Sequence, residues 1–262
     1  MTWIYAIPSW LFALLVIGSM CAASAGGLIL VHRRKRDQQL THNDVAGPII
    51  TTVGTVLAVM LSFMVVTVWQ EFDVSAANVQ HEASAVSDLY HLAPALPAPV
   101  STRLQTAVRS YTQIVVDREW KLMQSGKRSM RARDVSLSIL GIVAGYEPKT
   151  PTQVALQQEA FALIKTFSDD RRSRIFDNQE SIPGILWLTM IFIGAITVGS
   201  SYFFDVRNFQ AHLLMTIALA AVIGSIFVLI VEFDLPFRGD ISVPPTAFVH
   251  ALGDMAPPGT TR

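Results

Sequence analysis

Long apolar runs alternate with polar segments along this chain. Four runs reach the roughly 20 residues that an α-helix needs to cross about 30 Å of hydrocarbon. They lie at about residues 9–31, 48–70, 183–204 and 211–231. The runs come in two pairs, and most charged residues lie between the pairs. The pattern predicts an all-α integral membrane protein with four transmembrane helices in two hairpins.

This pattern divides the chain into four parts. Residues 1–70 hold the first transmembrane hairpin, and residues 182–232 hold the second. Residues 71–181 between them are predicted to form a helical extramembrane domain, which we call the outer domain. Residues 233–262 are predicted to form a C-terminal turn and tail, rich in proline at the start.

The apolar positions after the second run continue at helical spacing. They follow alternating steps of four and three at Phe72, Ala76, Val79, Ala83, Val86 and Tyr90. One helix should therefore leave the membrane as a long rod. It should end at the segment APALPAP, because proline does not allow a helix to continue.

Three later helices have recognisable start signals. Ser101 and Asp134 are candidate N-caps, and Thr150 followed by Pro151 is a strong start, since proline is favoured at the first helical position. No β-hairpin signal and no internal repeat interrupts this helical pattern.

Composition supports a membrane protein and argues against nucleic-acid binding. Apolar residues make up 51% of the chain and charged residues 15%, against about 25% charged in soluble domains. The formal net charge is zero, so no electrostatic attraction to nucleic acid is expected. The one cysteine, Cys21, excludes a disulfide within the chain.

Short-loop charge predicts the orientation of the helices. The loop of residues 32–46 contains HRRKR directly after the first apolar run, and cytoplasmic loops are rich in Lys and Arg. We expect this loop to be cytoplasmic and the domain 71–181 to be extracytoplasmic. The same basic cluster, with no Lys or Arg before the run, favours a retained helix over a cleaved signal peptide.

Candidate chemistry is sparse. The four apolar runs contain no Asp, Glu, Lys or Arg, which disfavours a proton-coupled pump. No nucleotide-binding or hydrolase motif occurs, and His81 and His91 lie ten residues apart, which is not a helical metal-ligand spacing. We expect no enzyme activity, no metal site and no cofactor.

Small and hydroxyl side chains form a stripe on the second predicted helix. They recur at i, i+4, i+7 and i+11, at Thr51, Thr55, Ala58 and Ser62. Such a stripe suits a seam between helices or the wall of a narrow wet pore. Both interpretations stay open at this point.

Five segments, taken in chain order, resemble the bestrophin-like family of bacterial membrane proteins. They are VWQEFDVSAANVQHEASAVSDLYHLAPALP, SYTQIVVDREW, RRSRI, SIPGILW and DLPFRGDISVPPTAF. The likeness extends over most of the chain, from Gly54 to Phe248. It implies a multi-pass protein of the cell inner membrane that is distantly similar to pentameric anion channels.

The resemblance includes the turn after the last apolar run. In bestrophins a Pro-Phe-Gly-acid motif follows the fourth membrane helix and helps to form a calcium-binding clasp. Here Pro236, Phe237, Gly239 and Asp240 resemble that motif, with Arg238 inserted. The bestrophin acidic cluster is absent, which leaves too few of the six to eight oxygens that Ca²⁺ takes.

Backbone chemistry predicts that this turn folds the tail back. Pro236 ends the helix, and Gly239 allows backbone angles closed to other residues. Phe233 and Phe237 should anchor at the bilayer surface. The segment SVPPTAF should then lie against the outer domain. Its acids, Asp234 and Asp240, are candidate ion-pair partners for Arg171, Arg172 and Arg174.

Four further positions in the matched segments lie in predicted outer helices: Glu82, Tyr111, Glu119 and Trp120. They could stabilise the domain by packing and capping. Alternatively, they could contact ions at a vestibule.

The sequence therefore favours a homo-oligomeric membrane protein that conducts ions, with an inorganic anion as the expected ion. The lipid bilayer and further copies of the chain are the expected partners. The alternative is a non-conducting structural or sensory membrane protein whose outer helical domain binds a partner. A polar opening along the axis of an oligomer would favour the channel.

Overall fold

The computed structural model describes residues 5, 7–34, 43–204, 206 and 208–255 of the chain. These residues are mostly helical and include no β-strand. Part of the basic loop 32–46 and the tail after residue 255 lie outside the described residues. The α-helices, in chain order, are α1 (Ser9–Arg34), α2 (Asn43–Leu92), α3 (Ala98–Ile114), α4 (Trp120–Met123), α5 (Met130–Ala144), α6 (Pro151–Asp177), α7 (Gly184–Ser201), α8 (Phe209–Asp234) and α9 (Thr246–Asp254).

Four of the described helices are long and apolar enough to cross a membrane. They are α1, α2, α7 and α8, at the four places that the sequence predicts. The two-hairpin arrangement is not confirmed, because α1 packs mainly against α8, whereas α2 packs against α7 and α8. Contacts between the spans therefore join the two predicted pairs.

Helix α2 extends far beyond the bilayer. It has 50 residues, which corresponds to about 75 Å at 1.5 Å per residue, against about 30 Å of hydrocarbon. The rod that the apolar spacing predicts is thus confirmed. The helix ends at Leu92, where a 3-10 turn of Ala93–Ala95 carries the first proline of APALPAP.

Helix α2 contributes to two separate hydrophobic cores. One core lies among the membrane helices and includes Leu57, Leu61, Met190 and Ile223. The other lies in the outer domain, where the far half of α2 packs against α3, α6 and α9. Its fully buried side chains include Leu89, Leu104, Ile139, Phe167 and Phe248.

One of the three predicted helix starts is confirmed and two are wrong. The Thr150 hydroxyl accepts a hydrogen bond from the Gln153 N–H at 3.2 Å, as an N-cap does. Helix α3 begins at Ala98, before Ser101, since proline at its first positions needs no N–H partner. Helix α5 is capped by Ser129, whose hydroxyl accepts from the Ala132 N–H, and Asp134 lies inside it.

Candidate functional site

The predicted stripe lies on an exposed face of α2. Thr51, Thr55, Ala58 and Ser62 are all exposed. The hydroxyls of Thr55 and Ser62 each donate to the carbonyl oxygen four residues earlier, both at 2.8 Å. These hydroxyl protons are therefore satisfied within the helix, and the face needs no further polar partner in hydrocarbon.

A different face of α2 holds the helix in the protein. Leu57, Leu61 and Val68 are buried there, in the core shared with α7 and α8. This packing fixes the rotation of α2 and leaves the stripe on the outside of the chain. The face is thus available to a second copy or to a water-filled path.

The turn after α8 folds the tail back into the outer domain, as predicted. Gly239 has a φ of 77°, in the region that favours glycine. The Val243 N–H donates to the Pro236 carbonyl at 2.8 Å, which closes the turn. Helix α9 then packs against α2 and α3.

Phe237 anchors this turn in protein rather than at the bilayer surface, so that expectation is wrong for Phe237. Its side chain is 1% exposed and belongs to the outer core. The ring lies edge-on to Trp120, with centroids 5.8 Å apart. The Trp120 indole N–H donates to the Val243 carbonyl at 3.1 Å, so one residue holds both ends of the turn.

The acids around the turn bind backbone N–H groups and a hydroxyl. Asp234 accepts from the Ile182 N–H at 2.7 Å, just before α7. Asp240 accepts from the Ser9 N–H and Glu232 from the Ser9 hydroxyl, both at 2.8 Å. Because Ser9 begins α1, these carboxylates also lie at the positive end of its dipole. The turn therefore ties together the ends of three membrane helices.

The predicted pairing of Asp234 or Asp240 with three arginines is wrong. Arg174 and Arg171 turn inward from α6 and bind Glu82 and Glu119. Arg172 lies on the exposed side of α6 and pairs with Asp169 at 3.5 Å. The error arises because neighbouring residues of one helix point in different directions, so a sequence cluster is not a spatial cluster.

Arg174 is the centre of a buried ion cluster. Its Nε lies 2.6 Å from Glu82 Oε2, and its Nη2 lies 2.9 Å from Glu82 Oε1 and 3.2 Å from Glu119 Oε2. Arg171 adds a contact of 2.7 Å to Glu119. The Tyr111 hydroxyl donates to Glu82. We name these five residues the buried ion cluster: Glu82, Tyr111, Glu119, Arg171 and Arg174.

The surroundings of the buried ion cluster keep Arg174 charged and Tyr111 neutral. Burial lowers the pKa of Arg174, but the Glu82 and Glu119 carboxylates raise it more, so the net direction is upward. Burial, followed by the Glu82 charge, raises the pKa of Tyr111 well above its ordinary value. The Arg174 guanidinium also lies 5.2 Å from the centre of the Trp120 ring, where cation–π attraction operates.

This geometry favours the structural role for the four matched outer positions. All four are buried: Glu82, Tyr111 and Glu119 fully, and Trp120 with 6% of its surface exposed. Ions in a vestibule could therefore not contact them. The sequence identified the four positions through the family resemblance. It gave no sign of Arg174 as their partner, because that contact joins residues 92 positions apart.

Arg238, the residue inserted in the bestrophin-like motif of the turn, makes a buried contact that the sequence did not predict. Its side chain is 7% exposed and donates to the Asn178 carbonyl. Burial lowers its pKa. Gly126 in the loop before α5 leaves room for this guanidinium, since a Cβ there would lie 2.6 Å from Arg238 Nη2.

We expect Gly126→Ala to cost about 1–3 kcal/mol of folding free energy. Gly126 has a φ of 72°, which disfavours alanine, and the new methyl group would displace Arg238 from Asn178. Thermal unfolding in detergent measures the loss. Gly141→Ala is the control, because Gly141 is helical with open space around it and should gain about 0.5–1 kcal/mol. Equal stability of the two variants would contradict the prediction.

An open acidic cleft lies where α2 and α8 emerge from the membrane-spanning part of the protein. It has a volume of about 570 Å³ and is lined by several side chains, including Glu71, Asp177, Glu180 and Asp234. Burial raises the pKa of Asp177, although the Ser75 hydroxyl donates to it at 2.8 Å. Among the residues that the structure describes, no group of three or more His, Cys, Asp or Glu is placed to hold a metal ion.

The fold is shared with solved bacterial membrane proteins. One point variant of a bacterial Bestrophin homolog from Klebsiella pneumoniae is 12% identical, with a TM-score of 0.70 over 91% of this chain and 97% of that one. A second variant is 10% identical, with a TM-score of 0.69 over 93% and 96%. A structure described only as a membrane protein is 13% identical, with a TM-score of 0.65 over 94% and 96%.

The family comparison covers most of the sequence. No curated protein matches the chain. The model of the Bestrophin-like domain matches residues 18–248, a range that includes most of α1, all of α2, α7 and α8, the buried ion cluster and the turn. The chain therefore belongs to the Bestrophin-like family.

Proposed function

We propose that this chain forms a homo-oligomeric ion-conducting path through the cell inner membrane, with α2 nearest the axis. Inorganic anions are the proposed ions, in keeping with the resemblance to bestrophins. The proposed role is transport and not catalysis. Loop 32–46 is proposed to lie in the cytoplasm and the outer domain outside it.

The exposed stripe on α2 is the observation that carries this proposal. A stripe of small residues lets helices of neighbouring copies approach closely. Hydroxyl and small side chains also suit the wall of a narrow path that holds water. Because the stripe lies on the outside of the chain, a path along it requires several copies around one axis.

The position of the buried side of α2 also supports this arrangement. Leu57, Leu61 and Val68 anchor the helix to its own chain, and the far half of α2 is anchored in the outer core. A helix held at both levels keeps a fixed face towards its neighbours. Such a rigid wall suits a selective path better than a mobile one.

The mass of the purified particle tests the requirement for several copies. We expect detergent-solubilised protein to give a mass of several chains, because the path exists only between copies. A monomer under conditions that preserve folding would contradict the proposal. The same measurement on each variant below shows whether a change in flux reflects a change in assembly.

We expect Thr55→Leu and Ser62→Leu to lower anion flux into liposomes several-fold. Leucine is larger and apolar, so it narrows the path and favours its dewetting. A chloride-sensitive dye inside the liposomes measures the flux, and ion gradients then identify the carried ion. If liposomes that contain the wild-type protein show no more flux than empty liposomes, the channel proposal is wrong.

Thr189→Leu and Ser225→Leu are matched controls for this experiment. Both residues lie on other membrane helices, where Ser225 is exposed and Thr189 is half-buried. Both hydroxyls donate to the carbonyl oxygen four residues earlier at 2.8 Å. They repeat the chemistry of Thr55 and Ser62 away from α2. If the controls lower flux as much as the α2 variants, α2 does not line the path.

A further inference from the structure

A basic cleft lies between α5 and α6 in the outer domain. Its volume is about 300 Å³, and its lining includes the side chains of Arg128, Arg133, Arg171 and Arg172. No carboxylate belongs to this lining in the part of the chain that the structure describes. The cleft is thus a concentration of positive charge on helices that do not form the α2 stripe.

Two of the four arginines retain unbalanced charge. Arg171 is paired with Glu119 and Arg172 with Asp169. The guanidinium groups of Arg128 and Arg133 have no hydrogen bond or ion pair with any described residue. The cleft therefore carries about two positive charges beyond those that its own neighbours neutralise.

Arg171 contributes only part of its side chain to the cleft. Its side chain is 13% exposed, and one face binds Glu119. Its Nε is buried and has no hydrogen-bond partner within the described residues. Because this Nε is closed to solvent, a ligand in the cleft can contact only the exposed part of the Arg171 side chain.

We propose that the basic cleft binds a phosphate group. A guanidinium fork matches phosphate oxygens in two-pronged geometry, and a phosphate group carries a charge of about −1.5 to −2, which balances the two unpaired arginines. The volume of the cleft is at the lower end of that of ligand pockets, which favours a small group. The start of α5 lies between Arg128 and Arg133 and adds its positive dipole.

Titration of the detergent-solubilised protein with inorganic pyrophosphate tests this site by calorimetry. We expect saturable binding that weakens at least about tenfold in the double variant Arg128→Gln/Arg133→Gln, since each lost bond to a charged oxygen accounts for roughly a factor of ten. Arg131→Gln is the matched control: Arg131 is exposed on the same segment but does not line the cleft. It should keep the affinity of the wild type.

A second experiment, with lipids, distinguishes a free phosphate group from the phosphate of a lipid headgroup. Protein in phosphatidylcholine nanodiscs is compared with protein in nanodiscs that also contain phosphatidic acid. If pyrophosphate does not bind, but phosphatidic acid raises the melting temperature of wild type and Arg131→Gln and not of the double variant, the ligand is a lipid headgroup. If pyrophosphate does not bind and phosphatidic acid does not stabilise the protein, the proposal is overturned.

Two further outcomes also overturn it. Equal weakening in Arg131→Gln would show a general effect of charge. Dissociation of the oligomer in the double variant without any ligand would show that carboxylates of a neighbouring copy occupy the cleft. Melting temperatures without ligand verify that the double variant folds, and none of these measurements depends on ion conduction.

Discussion

Arg174→Met is expected to cost about 3–5 kcal/mol of folding free energy, because it leaves buried carboxylates without their counter-ion. Methionine fills much of the volume of arginine, so the loss is mainly electrostatic. Glu82 would keep only the Tyr111 hydroxyl from its present side-chain partners. Thermal unfolding in detergent should show a drop in melting temperature on the order of 10 °C.

Arg172→Met is the matched control for Arg174→Met. Arg172 is two residues away on the same helix, but its side chain is 79% exposed. Its loss should change the folding free energy by no more than about 0.5 kcal/mol. The double variant Glu82→Gln/Arg174→Met should recover part of the loss, because it removes the orphaned charge. A small effect of Arg174→Met, similar to the control, would show that the cluster is not a stabilising unit.

Local pattern was enough to predict the membrane helices and the long extension of α2. Apolar length identifies a span whatever it packs against, and the spacing of Phe72 to Tyr90 is a property of one helix. The end of α2 at Leu92 follows from the prolines just after it, because proline does not allow a helix to continue. These features depend on residues close together in sequence, so the sequence alone contained them.

Features that depend on distant contacts were not predictable in this way. Arg174 meets Glu82 and Glu119 only after α2, α6 and the α3–α4 segment have assembled. The packing of α1 on α8 likewise joins the two ends of the chain. Ser129 was missed as a cap because Asp134 is an equally good cap by chemistry, and tertiary packing selects between them.

The turn after α8 shows how a local signal and a distant contact combine. Pro236 and Gly239 predict that the chain turns, but not which side chain enters the core. Phe237 enters it, while Asp240 and Asp234 bind the beginning of α1 and the segment before α7. The membrane helices and the outer domain are thus held together at this turn as well as through α2.

Phe237→Ala should therefore cost about 3–5 kcal/mol, as large-to-small changes of a buried phenylalanine do. The change removes the edge-on contact with Trp120 and leaves a cavity in the outer core. It should also loosen the segment that holds α9 in place. Thermal unfolding measures the first effect, and limited proteolysis of the region after α8 measures the second.

Phe176→Ala is the control for Phe237→Ala. Phe176 lies on α6 with 60% of its surface exposed, so its removal creates no cavity and should cost less than about 0.5 kcal/mol. Phe237→Leu should fall between the two, because leucine refills part of the space. Proteolysis of Phe237→Ala at the rate of the wild type, with an unchanged melting temperature, would mean that the turn is held by its carboxylates and backbone alone.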